Sequence, residues 1–382
     1  MHINYQSNLF LSAPILPSIE VTIVIPVKDE ETYIQDLLKS LKNQVDLAGK
    51  KINYNRYEIL ILANNCTDDT VDLIKKFKLE NRKINLYLEE VVLETDQANI
   101  GFVRKALMDL AYTRLTTNGG GIMLTTDGDT IVANDWIYQN IAEIERGAEA
   151  VGGRILLKEE ELADLDEATA FLHKNDEEYR LLIAELEATV LQNFDYGKGC
   201  HHQNFNGSFA VTTECYRKSG GIPPVKHLED CAFYDRLNEI DANVRHSHHV
   251  VVWTSARCIG RTDIGLSQQL NVWKNIDIQK ERFLVECSTS LLFRCTIKKQ
   301  LKDLWNRRDI INNSIEEQVK RLAQPIEVNN HILESFRKSS YFGDWFQEIE
   351  KLNRPLWEER FQLTEIDEAI ADLRFILKTY SS

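Results

Sequence analysis

VTIVIPV at residues 21–27, followed by the polar stretch KDEE at 28–31, begins an alternation of β-rich runs and amphipathic stretches that decides the fold. The further β-rich runs are YEILILAN at 57–64, INLYLEE at 84–90 and GIMLTTDGD at 121–129. Helices are predicted between them, from about residue 31 to 43, 69 to 80 and 101 to 115. Strands joined by helices of this length form a mostly parallel sheet, so the sequence predicts an α/β fold with a Rossmann-like sheet flanked by helices. Ligands of such sheets bind at the carboxyl ends of the strands.

The composition is that of a globular protein with a sizeable core. The 382 residues carry a formal net charge of -14, which argues against nucleic-acid binding because that requires Lys and Arg to neutralise phosphates. The seven cysteines form no Cys-x-x-Cys pair, and no stretch approaches the roughly 20 apolar residues that cross a bilayer. We therefore expect a cytoplasmic protein without a transmembrane segment.

Two aspartates end the fourth β-rich run. Asp127-Gly128-Asp129 places two carboxylates at the rim of the predicted sheet. Carboxylates are hard oxygen ligands that can hold Mg²⁺ or Mn²⁺ against a diphosphate. Ordinary turn chemistry is the alternative, because Asp and Gly are common in solvated loops.

Polar residues also follow the first two runs. Pro26 ends the hydrogen bonding of the first strand, after which Glu30 is placed to bond a ribose or a base, or else to favour a helix N-terminus. Asn64 follows the second run with amide donors and acceptors suited to a nucleobase edge. Arg104 lies one turn inside the helix that begins near Gly101, where helix amides and a cation suit a diphosphate.

Together these segments resemble the family-2 glycosyltransferases with the GT-A fold, in particular a soluble, non-processive bacterial subgroup. Members typically begin with VTIVIPVxNEE and carry, in order, an Asn- or Asp-rich segment, a segment with Asn, Gly and Arg, a D-x-D strand end and an E-D pair. This chain has VTIVIPVKDEE, ANNCTDDT, NIGFVR, LTTDGD and HLED in that order, within about residues 21–265.

The resemblance implies roles for individual residues. It places a nucleotide-sugar site on Pro26, Val27, Glu30, Asn64, Arg104, Asp127, Gly128 and Asp129, with Asp127 and Asp129 as metal ligands. It places an acceptor side on Trp136, Asn206, Gly207, Ser208, Arg257 and Arg261. It implies that Asp230 takes the proton from the acceptor hydroxyl, with Glu229 in support. One histidine of His246, His248 and His249 is a candidate third metal ligand, and His201 and His202 are candidates for the acceptor pocket, although structural roles fit all five.

Two departures from the family pattern matter. Asp29 stands where Asn is usual and Asn64 where Asp is usual, which leaves the donor base open. The segment QQLNVW at residues 268–273 only partly matches the Q-x-x-R-W signature of processive enzymes, which argues against polymerisation.

The predicted organisation is a GT-A domain followed by a helical extension. The GT-A domain covers residues 1–265, with a nucleotide-binding half at 1–130, an acceptor half at 131–265 and a helical insertion at 158–196. The extension covers residues 266–382, with helices predicted at 272–287 and 310–322. We expect the extension to pack on the sheet domain or to form a homodimer surface.

The expected activity is metal-dependent transfer of a single sugar from a nucleotide diphosphate sugar to an acceptor hydroxyl, with inversion. Mg²⁺ or Mn²⁺ is the expected cofactor, and a UDP-sugar is expected rather than a GDP-sugar. The acceptor stays open, and so does a retaining outcome. A nucleotidyltransferase is an alternative, although it would carry a Gly-rich basic loop where this chain has VKDEE. The other alternative is a catalytically silent scaffold protein that binds a sugar nucleotide.

Overall fold

The computed structural model describes residues 14–192, 201–257, 265–279, 282–308 and 326–381. The chain divides into two compact units. Unit 1 comprises residues 1–165, 203–237 and 242–271, and unit 2 comprises residues 166–202, 238–241 and 272–382. None of the described helices is both long enough and apolar enough to span a bilayer.

The elements of the sheet region alternate as the sequence predicts. The strands are β1 (Val21–Val27), β2 (Tyr57–Asn64), β3 (Leu86–Val91), β4 (Ile122–Thr126), β5 (Ile131–Val132), β6 (Ala150–Leu157), β7 (Ser208–Thr212) and β8 (Val244–Thr254). The helices are α1 (Ile34–Lys42), a 3-10 turn (Tyr54–Arg56), α2 (Thr70–Glu80), α3 (Ile100–Thr117), α4 (Trp136–Glu145), α5 (Glu159–Ala163), α6 (Glu167–Leu191), α7 (Thr213–Lys218) and α8 (Glu229–Glu239).

The strands form one sheet in the order β3-β2-β1-β4-β7-β6-β8-β5. The pairs β3-β2, β2-β1, β1-β4 and β6-β8 are parallel, whereas β7 runs antiparallel to both its neighbours and β5 antiparallel to β8. Every residue of β1 and β2 is buried, because helices cover both faces of a parallel sheet. The predicted α/β fold, a mostly parallel sheet flanked by helices, is confirmed.

The core of unit 1 lies between β1, β2 and the helices packed on them. Ile23, Ile25, Leu37 and Leu38 are fully buried there, together with the Trp136 side chain. A buried ion pair joins this sheet to α3, where the Arg114 guanidinium donates to both oxygens of Glu58 on β2. The ion pair lies near the start of β2, at the other end of that strand from Asn64.

Unit 2 is helical. Its elements, apart from α6, are β9 (Leu284–Glu286), α10 (Ser288–Trp305), α11 (Asn330–Lys338), α12 (Phe342–Arg360), β10 (Leu363–Glu365) and α13 (Ile366–Ser381), and α9 (Leu266–Gln279) begins in unit 1 and ends in unit 2. One apolar cluster joins α6, α10 and α13 around Leu186, Leu291 and Leu373. A second surrounds the stacked rings of Trp305 and Trp345.

The predicted helices after residue 265 agree only partly with the structure. The helix predicted at 272–287 was wrong in its bounds, because α9 ends at Gln279 and residues 284–286 form β9, which pairs antiparallel with β10. The helix predicted at 310–322 lies outside the described residues. The domain boundary at 265 stays a prediction.

Candidate active site

The register of the sheet brings the polar strand ends of unit 1 together. Val27 pairs with Ala63, so the segments that follow β1 and β2 leave the sheet side by side. β4 is the other parallel neighbour of β1, and its last residue, Thr126, pairs with Ser208 at the start of antiparallel β7. The carboxyl ends of β1, β2 and β4 and the amino end of β7 therefore share one edge, where Asp127 faces Gly207: a Cβ added at Gly207 would lie 3.0 Å from Asp127 Oδ2.

Arg104 on α3 is the central cation of this edge. Its side chain is 3% exposed, and it donates to Thr125 Oγ1 at 2.6 Å and to Asp127 Oδ1 at 2.5 Å. Its Nε lies 3.4 Å from Glu229 Oε1. Burial alone would lower the pKa of the guanidinium, but the carboxylates of Asp127 and Glu229 outweigh it and raise the pKa. Arg104 therefore stays charged and links the end of β4 to the start of α8.

Glu229 and Asp230 open α8, as the sequence predicts. Glu229 is 4% exposed and accepts from Asn206 Nδ2 at 3.4 Å. Burial is the main reason that the pKa of Asp230 is raised, and the neighbouring Glu229 charge adds to it. One oxygen of Asp230 accepts from the Cys231 amide at 2.8 Å, which acts in the opposite direction.

A close backbone approach fixes the segment that leads into α8. A Cβ placed on Gly101 at the start of α3 would lie 1.7 Å from the Val225 carbonyl oxygen, so only glycine fits there. Gly101 lies near a helix start, as predicted, and it lets the segment before Glu229 pack against α3. Arg104 of the same helix contacts Glu229.

Asp129 lies among donors from β8 and the residues after it. β5 pairs with β8 through Ile131 and Trp253, which brings Asp129 beside the end of β8. Thr254 Oγ1 donates to Asp129 Oδ1 at 3.2 Å and Ser255 Oγ donates to Oδ2 at 2.8 Å. Asp129 is 9% exposed, and it is more enclosed than Asp127, whose side chain is 41% exposed.

Arg257 joins Asp129 to Glu30. Its guanidinium donates to both Glu30 oxygens, at 2.7 and 2.8 Å, and lies 3.1 Å from Asp129 Oδ2. Burial alone would lower the pKa of Arg257, but the Glu30 and Asp129 carboxylates raise it. The resemblance implied an acceptor-side position for Arg257, whereas the structure places it on the two residues implied for the nucleotide-sugar site.

Sequence reasoning missed two residues at this site. The Lys158 ammonium donates to the Asp129 carbonyl oxygen at 3.1 Å and lies 4.2 Å from the centre of the Tyr33 ring. The Arg257 guanidinium lies 5.8 Å from the same ring. Lys158 precedes α5 in an acidic, helix-rich stretch, and Tyr33 precedes α1, so neither belongs to a motif that spacing alone could reveal.

The other residues implied for the nucleotide-sugar site lie at the strand ends. Pro26 and Val27 are buried in the last residues of β1, and Asn64 is 6% exposed at the end of β2. Gly128 passes close over β1 and the segment after it, since an added Cβ would lie 2.9 Å from Glu30 Cγ and 3.0 Å from Val27 Cγ1. A side chain at this position would require Glu30, Val27 or the Gly128 backbone to shift.

The residues implied for the acceptor side are mostly enclosed. The Trp136 indole is 0% exposed and donates to Ser208 Oγ at 3.0 Å, while Gly207 accepts from Thr126 through its carbonyl. Asn206 is 2% exposed and its Oδ1 has no hydrogen-bond partner among the described residues. Arg261 lies outside the described residues.

The histidine candidates have structural contacts. His246 Nδ1 lies 3.1 Å from the Gln203 carbonyl oxygen, so it carries the proton, and Nε2 lies 3.1 Å from the Tyr234 hydroxyl. Both ring nitrogens of His246 are therefore used. His201 is 1% exposed, and His202 Nε2 lies 3.9 Å from Glu177 Oε2 in unit 2. His248 and His249 are exposed on β8.

The donor set at Asp127 and Asp129 is chemically suited to a hard divalent ion. Magnesium is commonly held by one or two carboxylates, with water and substrate phosphates completing the octahedron. Asp127 fits this best, because Arg104 engages Oδ1 and leaves Oδ2 open among the described residues. In the part of the chain that the structure describes, three metal-ligating side chains gather only at Asp29, Cys66 and Asp68, outside this pair.

Comparisons with known proteins agree with the strand-end pattern. Residues 22–201 match the family model for Glycosyl transferase family 2. Glycosyltransferase AglE of Haloferax volcanii is 24% identical over 136 residues, which cover 35% of this chain and 39% of that relative.

Comparison with solved structures gives glycosyltransferases at low identity and with TM-scores below 0.5. Residues 1–349 of S. aureus TarS in complex with UDP give a TM-score of 0.42 at 12% identity, covering 88% of this chain and 92% of that one. The mannosyltransferase PcManGT from Pyrobaculum calidifontis, in complex with GDP-Man and Mn²⁺, gives 0.44 at 14% identity, covering 90% and 89%. Residues 22–201, just under half of the chain, are thus similar to glycosyl transferase family 2, and they include the strand ends that carry the acidic and polar residues up to Asp129.

Proposed function

We propose that the chain transfers a single sugar from a nucleotide diphosphate sugar to an acceptor hydroxyl, with inversion and with Asp230 as the general base. The observation that carries the proposal is the link between Asp127 and Glu229 through the buried Arg104 guanidinium. One cation ties the carboxylate at the expected donor side to the acidic pair at the expected acceptor side.

The site supplies separate groups for the two ends of the reaction. On the donor side, Glu30 and Asn64 would bond the nucleoside, because they end neighbouring parallel strands where nucleotides bind. Arg104 is too enclosed to face a diphosphate directly, so we assign it to holding Asp127 and Glu229 in place. A UDP-sugar is the first donor to test.

Asp230 is the group assigned to accept the proton of the acceptor hydroxyl. A general base works best when its pKa lies near the working pH, and burial raises the pKa of Asp230 in that direction. Glu229 is held by Arg104 and Asn206, which suits it to fixing the acidic pair rather than accepting the proton. With a single base and no separate nucleophile assigned, direct displacement and inversion follow.

Asp127 and Asp129 would hold Mg²⁺ or Mn²⁺, and the ion when bound supplies positive charge for the departing nucleoside diphosphate. The chain's own contribution to that charge is Arg257 with Lys158, both within contact distance of Asp129. Gly128 lets the backbone between the two aspartates pass close to Glu30.

The test compares Asp230→Asn with Asp235→Asn, an exposed residue on the same helix that serves as the matched control. Release of the nucleoside diphosphate is measured with UDP-sugars and a panel of hydroxyl acceptors, and donor binding is measured separately by calorimetry. Asp230→Asn should lower the transfer rate about 10²- to 10⁴-fold with donor affinity retained, and Asp235→Asn should not. An unchanged rate in Asp230→Asn would refute the base assignment. Donor binding with no turnover in the wild-type protein would favour a silent binding protein.

A further inference from the structure

Arg257 occupies an unusual position, between one carboxylate implied for nucleoside binding and another implied for metal binding. Its fork takes both oxygens of Glu30 at 2.7 and 2.8 Å, and one of the same nitrogens lies 3.1 Å from Asp129 Oδ2. The exposed fractions of the three side chains are 18% for Arg257, 7% for Glu30 and 12% for Asp129. Contacts at this depth are only weakly screened by solvent.

Three contacts engage the oxygens of Asp129, which offer about four lone pairs. Oδ1 accepts from Thr254, and Oδ2 accepts from Ser255 while also facing Arg257. A divalent ion that binds Asp129 would have to share or replace these donors, and it would stand within a few ångströms of a guanidinium of the same sign. Arg257 and a metal therefore compete for Asp129.

One nitrogen of Arg257 is left for a ligand. Its Nε is buried and has no hydrogen-bond partner among the described residues. A guanidinium matches the geometry of phosphate oxygens, so a diphosphate that reached the site would offer Arg257 a better partner than two carboxylates that it must share. Moving the guanidinium to the phosphates would free Glu30 and Asp129 together.

We propose that Arg257 neutralises Glu30 and Asp129 while the donor site is empty. A nucleoside diphosphate then attracts the guanidinium to its phosphates, which leaves Asp129 accessible to the metal. The inference rests on the proposed function for the identity of the ligand. Its consequence is that metal binding depends on the nucleotide: the wild-type protein binds Mn²⁺ weakly alone and more tightly with a nucleoside diphosphate. Linkage requires that Mn²⁺ tighten nucleotide binding by the same factor.

The experiment is a titration of the full chain with Mn²⁺, in which electron paramagnetic resonance reports the free ion. Wild-type protein, Arg257→Gln and the surface control Arg82→Gln are compared without nucleotide and with UDP. Without nucleotide, Arg257→Gln should bind Mn²⁺ about tenfold or more tightly than wild type, which corresponds to about 1.4 kcal/mol. Arg82→Gln removes the same charge from an exposed position, so it should bind Mn²⁺ as wild type does.

Two further variants locate the effect and allow for a folding defect. The gain in Arg257→Gln should vanish when Asp129→Asn is added, which separates this site from the group at Asp29, Cys66 and Asp68. Arg257→Lys keeps one positive charge beside Glu30 and Asp129 and serves if the glutamine variant does not fold. It should also bind Mn²⁺ more tightly than wild type, because an ammonium cannot form the planar fork to both oxygens of Glu30 that holds the guanidinium beside Asp129.

The outcomes distinguish this inference from the proposed function. The inference is overturned if wild type and the folded Arg257 variants bind Mn²⁺ without nucleotide with affinities that agree within about twofold. This holds whether or not the proteins bind nucleotide. Tighter Mn²⁺ binding in those variants, with no nucleotide bound by any of the proteins, would support the competition between Arg257 and metal while refuting the proposed donor.

Discussion

Replacing Arg104 with methionine tests whether one guanidinium holds the two sides of the site together. The change keeps most of the aliphatic side chain and removes the charge that lies between Asp127 and Glu229. We expect a large loss of stability and a loss of transfer.

The magnitude follows from the exposure of the two partners. The Asp127 side chain is 41% exposed, so water can replace much of what Arg104 supplies to it. Glu229 is 6% exposed in its side chain and would remain as a buried carboxylate without its cation. Removing one partner of a buried ion pair costs about 3–5 kcal/mol. Arg104→Met should therefore lower the free energy of unfolding by about that amount, mostly through Glu229.

A double-mutant cycle isolates that contribution. Urea unfolding of wild type, Arg104→Met, Glu229→Gln and the double variant is followed by circular dichroism. If the unpaired Glu229 charge is the main cost, Glu229→Gln should recover at least about 1 kcal/mol in the Arg104→Met background. Arg104→Lys is the charge-preserving control and should lie between wild type and Arg104→Met. A coupling energy near zero would show that Arg104 does not stabilise the Glu229 charge.

Three further predictions concern Asp230, the Gly101 approach and the Trp136 contact. Asp230→Asn should raise the melting temperature at pH 7. The pKa of Asp230 is raised in the folded protein, so its contribution to stability is present below the unfolded pKa and is lost as pH rises through the folded pKa. Scanning calorimetry should show that the gain in melting temperature shrinks below about pH 4, and a gain that does not change with pH would contradict this. Gly101→Ala should cost about 1–3 kcal/mol in urea unfolding, because the added Cβ would lie 1.7 Å from the Val225 carbonyl oxygen, and an unchanged midpoint would argue against the close approach. Trp136→Phe and Ser208→Ala should each cost about 1 kcal/mol or more and together less than their sum, because they remove the same hydrogen bond; full additivity would count against that bond.

Local sequence pattern was sufficient for the first two strands of the sheet. The runs at 21–27 and 57–64 coincide with β1 and β2, because each is a fully buried strand that ends at polar residues. The start of α8 at Glu229 was equally clear, since acidic residues favour the first turn of a helix.

Pattern failed where a residue depends on a distant partner. β9 was predicted as part of a helix, because its pairing with β10 joins segments almost eighty residues apart and leaves no local signal. Likewise the contact of Arg257 with Glu30 joins residues 227 positions apart, and no motif predicts which side of the site that arginine serves. Lys158 and Tyr33 meet beside Asp129 for the same reason.

The most direct test of the central claim is a thermal-shift screen of the purified protein against UDP, GDP, CDP, TDP and their common sugar conjugates, with and without Mn²⁺. A ligand that binds only the folded state raises the melting temperature. We expect a shift with one nucleoside diphosphate that grows with Mn²⁺ and is lost in Asp129→Ala. No shift with any nucleotide, under conditions where the protein is folded, would contradict it.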